Sequence, residues 1–215
     1  MPDGTVATSL EAIDAAARQE LDAKHAARER ALIDSRALIR TCANTIRAVH
    51  RREFERAAGM LAQAAEASAR LTDELRGFQD LYWAGYVQDA QKEYAEASVT
   101  YRAITGAPLP TPTELGVAAG PFLNGLGEAV GELRRYVLDR LRRDDCEGCE
   151  ALLQVMDDVY GLLVTMDYPD ALTGGLRRTT DNVRGILERT RGDLTSALRQ
   201  RELQAALRQL EARLP

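Results

Sequence analysis

Residues 82–104 read YWAGYVQDAQKEYAEASVTYRAI, a proline-free segment with the most informative pattern of the chain. At about 100° per residue, one face of a helix would collect the apolar side chains Tyr82, Tyr86, Ala90, Ala97, Tyr101 and Ile104. Glu93 falls within that apolar face, and Glu96 lies at its edge. We therefore predict an amphipathic helix that carries carboxylates toward the core.

The position of Glu93 raises the question of what neutralises its charge. Burying a carboxylate without a partner costs several kcal/mol. One interpretation is a structural ion pair with an arginine of another helix. The other is a metal site, because hard divalent cations such as Mg²⁺ take carboxylate oxygens and let several like charges converge between packed helices. Asp89, four residues before Glu93, would extend the acidic row.

The remainder of the chain is also predicted to be helical. Its 34 Ala and 28 Leu far outnumber its 11 Val and 6 Ile, a balance that favours helix over strand. Residues 3–107 contain no proline, and residues 106–112 form the one clear break. We predict an all-α fold with one domain over residues 10–215, preceded by an N-terminal tail over residues 1–9. Its helices are expected over about residues 10–50, 52–76, 81–105 and 121–143, then from an Asp144-Asp145 cap to residue 166, with one or two over 170–214.

Composition argues against several classes of protein. With 33 acidic and 28 basic side chains the net charge is −5, which disfavours a tight, sequence-indifferent duplex binder, since that affinity comes from neutralising phosphates. No apolar run approaches the ~18 residues of a membrane span, and no signal-peptide pattern is recognised, so we expect a cytoplasmic protein with no membrane partner. Cys146 and Cys149 have zinc-ligand spacing, but without a second pair or a nearby histidine they do not define a zinc site.

A second acidic pair lies in residues 125–135, GLGEAVGELRR. Glu128 and Glu132 are four residues apart and share one helix face, although they lie off the apolar stripe. A solvent-exposed face is the ordinary explanation for such a pair. Gly127 and Gly131 argue against it, because each costs ~1 kcal/mol relative to Ala inside a helix. We therefore predict that another part of the structure approaches this helix closely.

These two acidic segments also carry a resemblance. Residues 122–135, FLNGLGEAVGELRR, resemble the Tyr-Leu-Leu-Gly-x-Ala-Asp-x-x-Gly-Glu-Leu-x-Arg signature of the translin and Trax (translin-associated factor X) family. Residues 91–97, QKEYAEA, are similar to the Trax segment Gln-Glu-Tyr-Val-Glu-Ala, and residues 46–51, IRAVHR, resemble archaeal or bacterial members. The resemblance extends over about residues 35–189.

The resemblance implies a roughly seven-helix, bundle-like subunit that assembles into a hollow homo-oligomer, often of eight subunits, around single-stranded RNA or DNA. Trax is the catalytic partner, a divalent-metal endoribonuclease, whereas translin only binds. By motif position, the Trax site carries over to Glu93, Glu96, Glu128 and Glu132, which are then the expected catalytic residues and ligands of Mg²⁺ or Mn²⁺. Glu128 stands where the family has aspartate, and its extra methylene would shift a metal ligand by about 1 Å.

Cationic side chains are the expected contacts to nucleic acid. Arg134 or Arg135 would bind a phosphate beside the metal site with two parallel hydrogen bonds. Further candidates for contacts to the nucleic acid are Arg47, His50, Arg51, Arg52, Arg177 and Arg178. For each arginine, a surface salt bridge is the alternative.

Three hypotheses follow from the sequence. The first is a Trax-like, metal-dependent endoribonuclease that works as a homo-oligomer. The second is a translin-like oligomer that binds single-stranded nucleic acid without cleaving it, and the third is a helical scaffold with neither activity. If two divalent ions bind the four glutamates, the formal charge changes from −5 to about −1, which leaves the arginines available for phosphates.

Overall fold

Six long helices and three single-turn helices make up residues 3–212, the part of the chain that the computed structural model describes. In chain order they are α1 (Asp3–His50), α2 (Phe54–Glu74), α3 (Gln79–Tyr82), α4 (Gly85–Thr105), α5 (Pro112–Leu115), α6 (Ala119–Leu141), α7 (Cys149–Val164), α8 (Asp170–Thr173) and α9 (Leu176–Glu211). These residues contain no β-strand, which confirms the all-α prediction. None of the helices is long and apolar enough to cross a bilayer.

Most predicted helix boundaries agree with the observed ones to within a few residues. The first helix, however, begins at Asp3 rather than near Leu10, so no break in the helix separates the predicted tail from the domain. Met1 and Pro2 of that tail lie outside the described residues. The predicted third helix is divided before Gly85 into α3 and α4, and α9 ends at Glu211.

The start of α7 differs from the prediction. Asp144-Asp145 do not cap this helix, whose N-cap is Gly148 in the left-handed conformation with φ 68°. Asp145 instead accepts hydrogen bonds from Arg140 at 2.6 and 3.0 Å and from Arg52 at 3.2 Å. These hydrogen bonds, those from Arg140 foremost, lower the pKa of Asp145 to about 2. The aspartate thereby connects the α1–α2 turn to the loop before α7.

The central helix of the fold is α4, which packs against α1, α2 and α6. Its buried residues are mostly small, and they are Val87, Ala90, Gln91, Tyr94, Ala95, Ala97, Ser98, Val99, Thr100 and Ala103. The helix α6 packs against α4 and also against α7 and α9. The helices α4 and α6 therefore form the middle of the bundle. This arrangement brings the two acidic segments of the sequence onto neighbouring helices.

The helices α4 and α6 approach each other closely at a glycine. A Cβ added to Gly125 would overlap the carbonyl oxygen of Lys92 and would lie 3.0 Å from the backbone nitrogen of Glu96. Of the two glycines that the sequence singles out, Gly127 is also closely packed, because a Cβ added there would overlap Thr179 Cγ2. Gly131 is not, since the nearest atom would lie at an ordinary 3.9 Å. The predicted close approach is therefore confirmed for Gly127 and wrong for Gly131.

Candidate metal centre

Three of the four predicted glutamates converge between α4 and α6. One carboxylate oxygen from each of Glu93, Glu96 and Glu128 lies within 4.8 Å of the other two. Glu93 and Glu96 are one turn apart on α4, and the glycine contact at Gly125 sets the distance from α4 to the helix that carries Glu128. Among the side chains that the structure describes, those of residues 9–212, no other group of His, Cys, Asp and Glu meets this criterion.

Glu96 is the most perturbed carboxylate of this group. Burial raises its pKa to about 8, with smaller contributions from the charges of Glu93, Glu128 and Glu132. Burial also raises the pKa of Glu93, although the Lys92 ammonium opposes the shift. The helical pattern places Glu96 at the edge of the buried face. In the structure Glu96 lies at the contact with α6, and its carboxylate is more deeply buried than the pattern indicates.

An ammonium group lies inside the carboxylate cluster. Lys92 Nζ donates a hydrogen bond to Glu128 Oε1 at 2.8 Å and lies 3.9 Å from Glu93 Oε1. Burial disfavours its charge, but the hydrogen bond and charge of Glu128 outweigh this effect, so the pKa of Lys92 is raised. The ion pair with an arginine, one of the two interpretations of the sequence, is not observed, since within the described residues no arginine forms an ion pair with Glu93 or Glu96.

Glu132 has a different environment from the other three glutamates. His50 Nε2 is hydrogen-bonded to Glu132 Oε2, and Arg135 lies 3.6 Å from the same oxygen. The hydrogen bond from His50 lowers the pKa of Glu132 despite partial burial. His50 closes α1, so this contact brings the end of α1 to the acidic face of α6. The side chain of His50 is only 6% exposed, so in this chain it positions Glu132 and does not offer a free surface to nucleic acid.

One buried thiol lies within the electrostatic influence of the cluster, but it is a poor metal ligand. Cys42 of α1 is completely buried, and burial together with the charges of Glu93 and Glu96 raises its pKa to about 12. A metal ligand must be a thiolate, and a thiol with this pKa stays protonated at neutral pH. The donor set at the centre therefore consists of carboxylate oxygens.

The two arginines expected beside the metal site differ in exposure and in their hydrogen-bond partners. Arg134 is largely buried, donates a hydrogen bond to Thr190 Oγ1 at 3.0 Å and pairs with Asp193 at 2.8 Å, which ties α6 to α9. Arg135 is 58% exposed and adjoins Glu132. Arg135 is therefore the one available for a phosphate, whereas Arg134 has the salt bridge that the sequence left as its alternative.

The other predicted cationic residues lie at two places. Arg47 and Arg51 are exposed at the end of α1, one turn apart, and Arg52 is held by its ion pair in the following turn. Arg177 and Arg178 are exposed in the first turn of α9, and Arg178 lines a large cavity that also includes part of the carboxylate cluster.

That cavity occupies about 1510 Å³ and is lined by α4, α6, α8 and the start of α9. Its lining includes Glu96, Glu128 and Lys92, together with the exposed ring of Trp83 and the start of α9. The sequence did not single out Lys92 or Trp83. The rarity of each residue type was the available signal, because the chain has two lysines and one tryptophan.

The fold and the centre together define an all-α protein with a carboxylate site between two central helices. A scan against models of protein families gives no match. The chain is 31% identical over 193 residues to the uncharacterised protein MJ0175 of Methanocaldococcus jannaschii, with 87% of this chain and 84% of that protein covered.

Solved structures give the more informative similarity. The crystal structure of AfC3PO superposes with a TM-score of 0.80 at 34% identity, covering 86% of this chain and 96% of that one. AfC3PO in complex with duplex RNA gives 0.76 at 33% identity with the same coverage. Apo-NeC3PO shares the fold with a TM-score of 0.77 at 19% identity, covering 92% of this chain and 98% of that one. The chain belongs to the translin and Trax family, of the C3PO type.

Proposed function

We propose that this chain binds RNA and cleaves it as a divalent-metal endoribonuclease. The observation that carries the proposal is the convergence of Glu93, Glu96 and Glu128 within 4.8 Å. Three anionic oxygens this close repel one another, and the pKa of Glu96 is raised to about 8 first by burial and then by the charges of its neighbours. RNA as the ligand is supported by the duplex RNA complex of AfC3PO, at 33% identity.

The residues present fit a hard divalent cation. Mg²⁺ and Mn²⁺ take oxygen ligands, and the cluster offers carboxylates from two facing helices. Glu93, Glu96 and Glu128 would hold the ion, while Glu132 is engaged by His50. A bound divalent cation would supply Lewis-acid activation of water and would stabilise negative charge on the scissile phosphate.

The chain's own residues supply the remaining roles. Glu132, kept ionised by the hydrogen bond from His50, would accept a proton from the attacking water. Arg135, exposed beside it, would orient a neighbouring phosphate. Arg47 and Arg51 at the end of α1 would contact the RNA backbone farther from the reaction.

Binding without cleavage is the second candidate function, and the position of Lys92 favours it. Its ammonium pairs with Glu128 at 2.8 Å and so neutralises part of the cluster without a metal. If Lys92 keeps this position in the RNA complex, its ammonium group occupies the place between the carboxylates that a divalent cation would need. The chain would then act as a translin-like RNA-binding oligomer.

We predict that 5′-labelled RNA is cleaved by the wild-type protein with Mg²⁺ or Mn²⁺ and is left intact with EDTA. Glu128→Gln should lower the cleavage rate by at least a hundredfold, because several kcal/mol of charge stabilisation depends on the metal. Glu66→Gln is the matched control, since this side chain is 75% exposed on α2, and it should cleave normally. Products are resolved on a denaturing gel, and both single-stranded and duplex RNA are tested.

Two results separate the candidates. RNA that shifts on a native gel but is not cut with any metal leaves only the binding function. RNA that does not shift even at low salt, where phosphate contacts are strongest, contradicts both.

We also propose that the chain self-associates through the projecting ends of α1 and α9. Both ends carry exposed apolar side chains, 50 to 62% exposed, and these are Leu10, Ile13, Leu21, Leu203, Leu207 and Leu210. On α9 the three leucines follow helical spacing and form one stripe. Such a stripe on an unpaired helix is typical of a subunit contact.

The double substitution Leu203→Glu with Leu207→Glu is expected to reduce the molar mass toward the 23.6 kDa of one chain, because it places charges in that stripe. Light scattering coupled to gel filtration measures the mass. The control, Gln204→Glu with Gln209→Glu, adds the same charge to the same helix away from the stripe and should keep the wild-type mass. A wild-type protein that already elutes as one chain contradicts the proposal.

A further inference from the structure

The side chain of Trp83 is largely exposed, although the residue caps helix α3 in the body of the fold. It is the one tryptophan of the chain, and it is 60% exposed at the end of α3. Tryptophan has a large apolar ring that is buried for the most part in folded proteins, and exposed aromatic rings are enriched where partners bind. Neither the carboxylate centre nor the packing of the bundle accounts for this exposure.

The surroundings of Trp83 hold it in a fixed orientation. Its backbone N–H donates to Gln79 O at 3.1 Å, and its ring meets Tyr82 edge-on with centroids 5.0 Å apart at 85°. Tyr82 is itself anchored, because Gln91 Nε2 donates to its hydroxyl at 3.3 Å. The indole therefore packs against an anchored ring, and most of the residue remains exposed to solvent.

The free ring shares a cavity with the candidate metal centre. Trp83, Lys92 and Glu128 all line the same space of about 1510 Å³. Glu93 follows Gly85, at the start of α4, by roughly 12 Å along the helix axis, so the ring lies a few nucleotides from the carboxylates. The lining also contains Arg178, from the first turn of α9, which is its second cation after Lys92.

We propose that Trp83 is a stacking subsite for an unpaired base of the RNA strand that enters the carboxylate centre. Aromatic faces bind every base in this way, and a neighbouring arginine holds the phosphate that follows. The proposal rests on the RNA-binding function above and adds the position at which a base outside the reaction is held. The cavity contains the cations Lys92 and Arg178 beside the carboxylates of the candidate centre, and such a charged lining fits a nucleic-acid strand better than the apolar surface of a second protein chain.

The single tryptophan allows a direct test. Full-length protein in EDTA is titrated with a short single-stranded RNA while the emission of Trp83 is recorded, and the affinity is measured in parallel by anisotropy of labelled RNA. We expect quenching that saturates at the same RNA concentration as the anisotropy. An abasic strand of equal length, with the same phosphates but no bases, should bind more weakly and leave the emission unchanged.

Variants give a second readout. Trp83→Ala should weaken RNA binding about tenfold, within the range of losses known for a single stacked base, and Trp83→Phe should recover part of the loss. Tyr168→Ala is the matched control, because Tyr168 is 62% exposed and does not line the cavity. This variant should bind RNA like the wild type.

The outcomes distinguish the subsite from the function on which it rests. RNA that binds with unchanged emission, and with equal affinity for Trp83→Ala, overturns the subsite and leaves RNA binding intact. RNA that fails to bind the wild-type protein at low salt contradicts the proposed function as well. If Trp83→Ala instead lowers the molar mass in light scattering, the ring belongs to a contact between copies of the chain, and the subsite is again overturned.

Discussion

Glu96→Gln is expected to raise the melting temperature of the metal-free protein by about 5 °C at pH 8 and to remove its stabilisation by Mg²⁺. The carboxylate of Glu96 is buried beside three others, so its ionised form is disfavoured and its pKa is raised to about 8. Glutamine keeps the shape without the charge. Cleavage of RNA should be lost in the same variant, because a metal ligand is removed.

The free energy of unfolding should depend on pH through the ionisation of Glu96. A glutamate in the unfolded chain has a pKa near 4.3, so the folded state binds an extra proton between about pH 4.3 and pH 8. The stability that Glu96 contributes is therefore fully present below pH 4.3 and is lost as pH rises through about 8. Thermal melts in EDTA at several pH values should show this decline in the wild type and a flatter curve for Glu96→Gln.

Addition of Mg²⁺ should reverse the decline in the wild-type protein, since a ligand that binds only the folded state stabilises it. Glu66→Gln again serves as control, and its melts should follow the wild type at every pH. Equal pH profiles for the wild type and Glu96→Gln would show that Glu96 does not titrate in this range.

Gly125→Ala is expected to lower the free energy of unfolding by about 2 kcal/mol. The added Cβ overlaps the carbonyl oxygen of Lys92 and approaches the backbone nitrogen of Glu96, and backbone atoms cannot rotate away. The helices α4 and α6 must then separate, which moves Glu128 away from Glu96. Urea denaturation measures the loss of stability, and metal-dependent cleavage should fall with it.

Gly131→Ala is the matched control for this prediction, because it lies on the same helix with its nearest neighbour at 3.9 Å. Alanine there should be neutral or stabilising by up to ~1 kcal/mol through its better helix propensity. If both substitutions have the same effect, the close contact at Gly125 does not control the distance between the two helices.

The long helices follow from local features of the sequence. The absence of proline in residues 3–107 and the break at residues 106–112 agree with α1, α2 and α4 and with the left-handed cap at Gly106. The cap of α7 could not be predicted in the same way. Asp145 has good capping chemistry, but two arginines from outside α7 bind it and leave the cap to Gly148.

The glutamates of the candidate site were also found from the sequence, but their environments were not. Helical spacing pointed to Glu93 and Glu96, whereas Glu128 and Glu132 were singled out by the glycines beside them and by the family resemblance. Spacing ranked Glu93 above Glu96 as the buried carboxylate, because it considers one helix at a time. The contact with α6 at Gly125 reverses that order.

The sequence by itself determined the helical class, the family and the four acidic side chains, since these depend on composition, periodicity and motif, which are properties of neighbouring residues. Only the tertiary structure decided that three of the glutamates converge, that His50 binds the fourth, and that Lys92 lies among them. The hydrogen bonds of Lys92 and His50 join residues 36 and 82 positions apart, and the energies of all these contacts depend on how closely α1, α4 and α6 pack. Distance and burial fix the charge state of a carboxylate, and no local pattern encodes either.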